Sequence, residues 1–259
     1  MRMRPLSGPD GQAALVALMR CRRPLLAFDF DGTLAPIVAR PDQAQIPADV
    51  AVRLAALAGL GPTAVITGRA VADVRARLGV FSPGFVVGHH GAHEEGDEAG
   101  VQALRSALDP LRAAIAAHHG ALDAAGVTVE DKRLSIAFHY RLAADAVQAL
   151  GCIRCVLAAA PPGLHTFDGK CVVNAVGAGA PDKAHALHRL LTRCGADGVL
   201  FAGDDLNDEP VFDAAAPGWV TVRIGSDEGG PASRARWFIE GTHQMVLLLD
   251  RLLALRAAG

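Results

Sequence analysis

Short apolar runs alternate with stretches of helical spacing along the first part of the chain. The apolar runs at residues 24–30, 63–66 and 85–87 predict buried strands. Between them, residues 47–58 and 70–78 carry apolar side chains at the spacing of an α-helix. This alternation of strand and helix favours a parallel sheet that is covered by helices on both faces.

The pattern changes after a linker at residues 88–100, which is rich in Gly, His and Glu. Two helices are predicted, at residues 101–119 and 143–160. Strands are predicted at residues 127–130, 134–140, 164–167 and 170–176. Strands that pair with near neighbours in sequence indicate an antiparallel sheet, and with the two helices they form a small α+β module.

A Gly/Ala/Pro hinge at residues 177–181 precedes a return of the first pattern. Residues 183–194 and 207–214 are predicted helices, and residues 199–202 and 219–224 are predicted strands. We therefore expect an α/β fold with a Rossmann-like parallel-sheet core that is discontinuous in sequence, residues 1–104 and 178–259. Residues 105–177 form an inserted α+β cap that supplies substrate specificity.

Composition narrows the classes of partner. With 51% hydrophobic and 20% charged residues, the chain is typical of a soluble globular protein. A net charge of −2 argues against nucleic-acid binding through a broad basic surface, so a small anion would be held by a few local cations. No stretch is apolar over a length that spans a bilayer, and a cytoplasmic protein is expected. The oligomeric state stays open.

The five cysteines are odd in number, which argues against a disulfide framework. Cys152 and Cys155 form a CxxC pattern inside a predicted helix. No second pair or nearby His completes a zinc site, and we interpret them as two buried thiols of a reduced protein.

Acidic side chains follow two separate predicted strands. Asp29 and Asp31 end the first strand, and Gly32 allows a sharp turn there. A second acidic stretch, residues 203–209, follows the strand at 199–202. Ligands of open parallel sheets bind beyond the carboxyl ends of the strands, where carboxylates can hold Mg²⁺. Helix-capping Asp residues are the alternative, but they do not explain acidic clusters at two strand ends.

The run Asp29-Phe30-Asp31-Gly32-Thr33-Leu34 resembles the signature of the haloacid dehalogenase-like phosphatases. Three further motifs occur in that family's order: residues 65–69 with Thr67, then Lys183, then residues 203–208. The resemblance implies an aspartyl-phosphate mechanism with Asp29 as nucleophile and Asp31 as general acid and base. Thr67 and Lys183 would stabilise the transferring phosphoryl group.

The same resemblance implies Mg²⁺ as cofactor. Its ligands would be Asp29, the backbone carbonyl of Asp31, and Asp204. Asp205 and Asp208 would hold metal-bound waters or Lys183, and the sequence does not rank these two residues.

The predicted cap resembles that of trehalose-6-phosphate phosphatases over residues 129–141, which read Val-Glu-Asp-Lys-Arg-Leu-Ser-Ile-Ala-Phe-His-Tyr-Arg. The Gly88-His89-His90-Gly91 stretch and the GDDxxDExxF form of residues 203–212 resemble the same family. The resemblance implies that the sugar phosphate is contacted by Arg69, His90, Glu130, Lys132, Arg141, Lys170 and Asn174.

Three residues depart from this family's pattern: Asn174 stands where a Glu is usual, Ala184 where a Gly is usual, and Asn207 where a Thr is usual. The expected reaction is Mg²⁺-dependent hydrolysis of trehalose 6-phosphate, a step of trehalose biosynthesis. Asn174 and Asn207 keep open a phosphatase for another sugar, of the sucrose-6-phosphate or mannosyl-3-phosphoglycerate type. A phosphosugar mutase and a non-catalytic sugar-phosphate sensor are the further alternatives.

Overall fold

A computed structural model of the chain describes residues 3–94, 98–160, 162–169, 171–225 and 232–258. Its strands are β1 (Arg4–Pro5), β2 (Pro24–Phe28), β3 (Thr63–Ile66), β4 (Phe85–Gly88), β5 (His93–Glu94), β6 (Thr128–Asp131), β7 (Ile136–His139), β8 (Leu164–Gly169), β9 (Val172–Gly177), β10 (Gly198–Gly203), β11 (Val220–Ile224) and β12 (Trp237–Ile239).

Its helices are α1 (Pro9–Met19), α2 (Ala48–Ala58), α3 (Val71–Arg75), α4 (Glu98–Ser106), α5 (Asp109–Ala117), α6 (His119–Ala124), α7 (Ala146–Ala159), α8 (Lys183–Cys194), α9 (Glu209–Asp213) and α10 (Met245–Ala257). No helix of the described residues combines the length and the apolar character needed to cross a bilayer.

The chain divides into two compact units, Met1–Glu95 with Asp182–Gly259 (unit 1) and Gly96–Pro181 (unit 2). The predicted insertion ran from residue 105 to residue 177, so unit 2 begins earlier and ends later than that range. Unit 1 includes β5, which pairs antiparallel with β4 inside the predicted linker.

Unit 1 is built on an eight-stranded sheet in the order β1-β12-β11-β10-β2-β3-β4-β5, parallel except for the last pair. Side chains along β2 alternate between two cores: Leu26 and Phe28 pack in one with α1, α2 and α10, and Leu25 and Ala27 pack in the other with α8 and α9. Helices therefore cover both faces of the sheet, which confirms the predicted α/β core.

Strand β2 lies in the middle of this sheet, between β3 and β10. The chain first builds outward on one side through β3 and β4, and later returns to build β10, β11 and β12 on the other side. The carboxyl end of β2 is therefore a topological switch point, the place where open α/β sheets bind ligands.

Unit 2 contains a four-stranded antiparallel sheet in the order β6-β7-β9-β8. One face of this sheet packs through Ile136, Phe138 and Val173 into a core that also takes side chains from α5 and α7. Of the residues predicted to share one face along 134–140, Ile136 and Phe138 lie in this core and Tyr140 packs against it.

The single helix predicted at residues 101–119 is wrong. The structure breaks this range into α4, α5 and α6. Pro110 occupies the first turn of α5, where its missing N–H is tolerated, but inside a longer helix it would remove a hydrogen bond and clash with the preceding turn. The interpretation of both CxxC cysteines as buried is also wrong, since Cys155 is exposed on α7.

Candidate active site

Two aspartates meet where β2 and β10 end. The backbone N–H of Asp29 donates to the carbonyl of Ala202 at 2.9 Å, which extends the pairing of the two strands to the first residue beyond β2. Asp204 follows β10, and both aspartates are buried. With Asp208 they form a group in which one carboxylate oxygen from each residue lies within 4.8 Å of the other two. The convergence expected at this edge of the sheet is therefore present.

Lys183 brings the positive charge to this group. It is the first residue of α8, whose start is fixed by Asp182 because that carboxylate accepts from the N–H of His185 at 2.8 Å. The Nζ atom lies 3.0 Å from Oδ1 of Asp29 and 2.7 Å from Oδ1 of Asp208. Burial lowers the pKa of Lys183, but the two carboxylates outweigh burial and raise it, so the ammonium is charged.

The group fits a divalent cation. The ammonium of Lys183 contacts two buried carboxylates, so its single positive charge does not balance both. Burial raises the pKa of Asp29 well above its usual range, Lys183 opposes this, and Asp208 and Asp204 add to it. Clustered carboxylate oxygens are the ligands that Mg²⁺ takes, together with water and substrate phosphate. Asp29, Asp204 and Asp208 are the residues that would hold it.

Asp205 and Asp208 take different positions, which the sequence could not rank. Asp208 accepts from Lys183 with one oxygen and from the N–H of Asp205 with the other, at 3.0 Å. The carboxylate of Asp205 instead accepts from the N–H of Leu206 and from the side chain of Asn207. Asp205, which was predicted to lie near the metal, is therefore not part of the acidic group. Its carboxylate caps the following turn instead.

Asp31 carries the predicted acid and base. Its two carboxylate oxygens accept from Nε and Nη2 of Arg69 at 2.7 and 2.8 Å. Its side chain is 38% exposed, whereas that of Arg69 is 11% exposed. The structure thus brings Arg69 to the acid–base residue. A role of Arg69 as a substrate ligand, and of the Asp31 carbonyl as a metal ligand, stay predictions.

Thr67 lies directly after β3 and is fully buried. Its hydroxyl oxygen accepts from the N–H of Arg69 at 3.2 Å, which leaves the hydroxyl proton free to be donated elsewhere. The N–H of His90 donates to the carbonyl of Thr67 at 2.9 Å. The imidazole of His90 packs so closely on Gly68 that a Cβ there would lie 2.4 Å from Cε1, so only glycine fits.

In unit 2, Glu130 is held by two cationic or polar neighbours. Nε2 of His139 lies 3.0 Å and Nζ of Lys132 lies 3.4 Å from the same carboxylate oxygen of Glu130. The hydrogen bond from His139 lowers the pKa of Glu130, burial opposes it, and Lys132 adds to the lowering. Glu130 is therefore an ionised acceptor near neutral pH.

One row of side chains crosses the sheet of unit 2 on the face opposite its core. The strand register pairs Glu130 with Ala137, Ala137 with Asn174, and Asn174 with Phe167. Directly paired residues of antiparallel strands share a face, so an acid, a small residue, an amide and an aromatic ring stand side by side. Asn174 is only 6% exposed, and its amide has no hydrogen-bond partner within the described part of the chain.

Two further predicted substrate residues are Arg141 and Lys170. Arg141 is exposed and follows β7. Lys170 falls outside the described residues, so its predicted contact is untested. Sequence reasoning missed Phe167. Its position two residues before Gly169 could have placed it, because residues two apart on a strand lie on the same face of the sheet.

Sequence reasoning also missed Asp73 and Arg77, which extend the contacts of Arg69. Asp73 accepts from Nη1 of Arg69 at 2.7 Å and, with its other oxygen, from Arg77 at 2.7 Å. Their spacing of four residues, with alternating charge, is the signal of side chains that meet on one helix face.

Known proteins resemble the chain over most of its length. A family model described as trehalose-phosphatase matches residues 27–242. The trehalose-phosphate phosphatase of Mycobacterium ulcerans is 33% identical over 248 residues, which are 91% of this chain and 61% of that protein. An uncharacterized glycosyl hydrolase of Mycobacterium tuberculosis is 38% identical over 237 residues, which are 86% of this chain and 18% of that protein. The chain therefore spans less than two thirds of the length of these curated relatives.

Solved structures share the fold. The C-terminal domain of a C. albicans trehalose-6-phosphate phosphatase has a TM-score of 0.70 and 20% sequence identity, and the match covers 95% of this chain and 96% of that one. A sucrose-phosphatase from Synechocystis has a TM-score of 0.60 and 17% identity, over 90% of this chain and 98% of that one. At these identities the likeness concerns the fold alone.

Proposed function

Because this chain belongs to the trehalose-phosphatase family, we propose that it hydrolyses trehalose 6-phosphate to trehalose and phosphate with Mg²⁺ as cofactor. The observation that carries the proposal is the buried group of Asp29, Asp204 and Asp208 around the ammonium of Lys183. Curated relatives that are named trehalose-phosphate phosphatases support this substrate. A bound Mg²⁺ would offset negative charge on the phosphoryl oxygens during transfer.

The reaction proceeds in two steps on the residues of unit 1. A carboxylate oxygen of Asp29 attacks phosphorus, the bond from phosphorus to the sugar oxygen breaks, and Asp31 gives its proton to that leaving oxygen. Water then attacks the aspartyl-phosphate, Asp31 takes the proton of that water, and Asp29 is released with phosphate. Lys183 and the hydroxyl of Thr67 stabilise the charge that moves through the phosphoryl oxygens.

Unit 2 supplies sugar recognition in this proposal, as the specificity cap. The row from Glu130 to Phe167 offers an ionised acceptor, an unpaired amide and an aromatic face. Carboxylate and amide groups hydrogen-bond hydroxyls, and a sugar phosphate offers many of them. Lys132, Arg141 and Lys170 would add charge-assisted bonds, and His90 is the proposed contact from unit 1.

A second candidate is a phosphatase for a different sugar phosphate. The amide of Asn174 favours it, because an amide both donates and accepts where the family's usual Glu only accepts. A site built on that amide would rank sugar hydroxyls differently.

Free thiols at all five cysteines support a reducing compartment, and we propose a cytoplasmic location on that ground.

The test is phosphate release with Mg²⁺ from trehalose 6-phosphate, sucrose 6-phosphate, mannosyl-3-phosphoglycerate and glucose 6-phosphate. The Asp29→Asn protein is the control. We expect trehalose 6-phosphate to react fastest without any bisphosphate primer. Equal rates on glucose 6-phosphate and trehalose 6-phosphate would refute the substrate assignment. A requirement for primer would indicate a mutase, and equal activity of wild type and control would indicate a sensor.

A further inference from the structure

The guanidinium of Arg69 and the carboxylate of Asp31 form a two-pronged pair. The atom pairs Nε with Oδ2 and Nη2 with Oδ1 are separated by 2.7 and 2.8 Å. Two parallel hydrogen bonds of this kind fix the plane of the carboxylate as well as its distance. Since the Asp31 side chain is 38% exposed, solvent alone would leave it several rotamers.

Arg69 is itself held from several sides. Its Nη1 donates to Asp73 and its Nη2 donates to the carbonyl of Pro41 at 2.8 Å, so four of its five N–H groups are used by described residues. Its charge stands 5.3 Å from the ring centre of Phe30. Burial lowers the pKa of Arg69, but hydrogen bonds to Asp31 and Asp73 outweigh it and raise the pKa above the usual range.

A second arginine anchors this arrangement. Arg77 donates to Oδ1 of Asp73 from Nε at 3.0 Å and from Nη2 at 2.7 Å, while Arg69 takes Oδ2 of the same carboxylate. Arg77 also donates to the carbonyl of Ala44. Asp73 is therefore fixed at both oxygens, and it can hold Arg69 in one orientation.

The backbone of Arg69 is fixed as well. Its N–H donates to the hydroxyl of Thr67, and its carbonyl accepts from the N–H of His89 at 2.9 Å. Arg69 thus contacts both Thr67, whose hydroxyl faces the phosphoryl group in the proposed reaction, and Asp31, whose carboxylate transfers the proton.

We propose that Arg69 is a positioning residue that aims the Asp31 carboxylate at the leaving oxygen, and that Asp73 and Arg77 hold Arg69 for this purpose. This role rests on the proposed function, and it replaces a direct contact of Arg69 with substrate. A guanidinium whose donors are engaged by two carboxylates and a carbonyl has no free fork with which to bind a phosphate.

The nature of the leaving group separates this role from phosphate binding. A sugar alkoxide is a poor leaving group and needs the proton of Asp31, whereas a nitrophenolate departs without it. Misplacing Asp31 therefore slows the first step, release of the leaving group, with trehalose 6-phosphate and spares that step with p-nitrophenyl phosphate. The second step, in which Asp31 takes a proton from water, is the same for both substrates. Weaker phosphate binding would instead raise KM for both substrates alike.

The experiment measures the single-turnover rate of leaving-group release, with enzyme in excess, and KM for both substrates with wild type, Arg69→Gln, Arg69→Lys and Asp73→Asn. We expect Arg69→Gln to lower the single-turnover rate on trehalose 6-phosphate by roughly 100-fold, the lower end of general acid–base effects, and on p-nitrophenyl phosphate by less than about 5-fold. Arg69→Lys should not restore the rate, because an ammonium cannot form the fork. Asp73→Asn should give a smaller loss with the same selectivity.

Two controls make the result decisive. Arg53→Gln removes a comparable fork, between Arg53 and Asp250 in the same unit, and should leave both rates unchanged. In an Asp31→Asn background, Arg69→Gln should cause no further loss on the sugar phosphate. Equal losses of the single-turnover rate on both substrates, a shared rise in KM, or additive losses in the double variant would overturn the proposal.

Failure of the proposed function is distinguishable, because wild type would then release no phosphate from trehalose 6-phosphate. Should Arg69→Gln fail to fold, as judged by its melting curve, Asp73→Asn decides by the same ratio of the two rates.

Discussion

The Nζ of Lys183 lies 2.7 Å from Oδ1 of Asp208, and both side chains are at most 1% exposed. The same ammonium lies 3.0 Å from Oδ1 of Asp29, so it also holds that second carboxylate in place. A buried ammonium with two carboxylate partners is charged, and it offsets part of the negative charge of the acidic group.

Removing this ammonium should destabilise the protein strongly. Lys183→Ala removes the ammonium that lies between Asp29 and Asp208, and breaking a buried pair in this way costs about 3–5 kcal/mol. Urea unfolding in metal-free buffer measures the loss. Adding Asp29→Asn to this variant should recover part of it, because one of the uncompensated charges disappears. An unchanged unfolding midpoint for Lys183→Ala would contradict the expectation.

Mg²⁺ should raise the melting temperature of wild type but not of Asp29→Asn. The carboxylate of Asp29 belongs to the group that would hold the ion, and an ion at one hundred times its Kd stabilises a fold by about 2.7 kcal/mol. In metal-free buffer, Asp29→Asn should be at least as stable as wild type, because it removes the cost of burying a charge and the repulsion by Asp208 and Asp204, which together outweigh the attraction by Lys183.

Asp205→Asn is the matched control for this measurement. Asp205 neighbours Asp204 in sequence but lies outside the acidic group, and asparagine keeps the capping function. Its melting temperature should still rise with Mg²⁺. Loss of that rise in Asp205→Asn, to the extent seen in Asp29→Asn, would assign Asp205 to the metal after all.

Gly32→Ala should abolish activity by displacing Asp204. Gly32 has a φ of +75°, and a Cβ there would lie 2.1 Å from Oδ2 of Asp204. The carboxylate must move, so the rise in melting temperature with Mg²⁺ should also be lost. Gly195→Ala isolates the backbone cost, because Gly195 has a φ of +59° with open space around it. It should lose about 1 kcal/mol of stability and keep its activity.

Asn174→Ala should weaken sugar recognition without affecting phosphoryl transfer. Losing one hydrogen bond to a hydroxyl costs about 1 kcal/mol, which is roughly a fivefold rise in KM for trehalose 6-phosphate. The kcat on p-nitrophenyl phosphate should stay the same. Thr166→Ala is the control, since Thr166 pairs with Ala175 on the opposite side of the sheet. Equal effects of the two substitutions would refute a role of the Asn174 amide.

The carboxylate of Asp131 should make the free energy of unfolding of unit 2 depend on pH. Hydrogen bonds from Arg112 lower the pKa of Asp131, burial opposes them, and the N–H of Arg133 adds to the lowering. A carboxyl group whose pKa is lower in the folded than in the unfolded state stabilises the fold at pH values above its unfolded pKa of about 3.9. This stabilisation is lost as the pH falls through the folded pKa. Because both side chains are partly exposed, the contribution stays below about 1 kcal/mol.

Urea unfolding of wild type and Asp131→Asn at several pH values measures this contribution. The difference between the two proteins should be present at pH 7 and decrease as the pH falls from the unfolded pKa of about 3.9 through the lower folded pKa. A difference that stays constant across this range would mean that Asp131 acts through packing and not through its charge.

The alternation of apolar runs and helical repeats was sufficient to predict the parallel core, the antiparallel inserted unit and most of their elements. Hydrophobic periodicity is a local property, so it can be read without knowing which strands pair. The boundaries of α4, α5 and α6 were missed, because a proline that begins a new helix looks the same in sequence as one inside a longer apolar repeat.

The sequence by itself determined that Asp29 and Asp204 follow buried strands, since each stands directly after an apolar run. Only the tertiary structure decided which groups come into contact. Strand β10 pairs with β2, and Asp208 rather than Asp205 accepts from Lys183. Arg69 donates to the carboxylate of Asp31. These contacts join residues that are 25 to 38 positions apart or more along the chain, and they depend on strand order and on side-chain direction. Neither is encoded in the spacing of residues, because both arise only when the elements pack together.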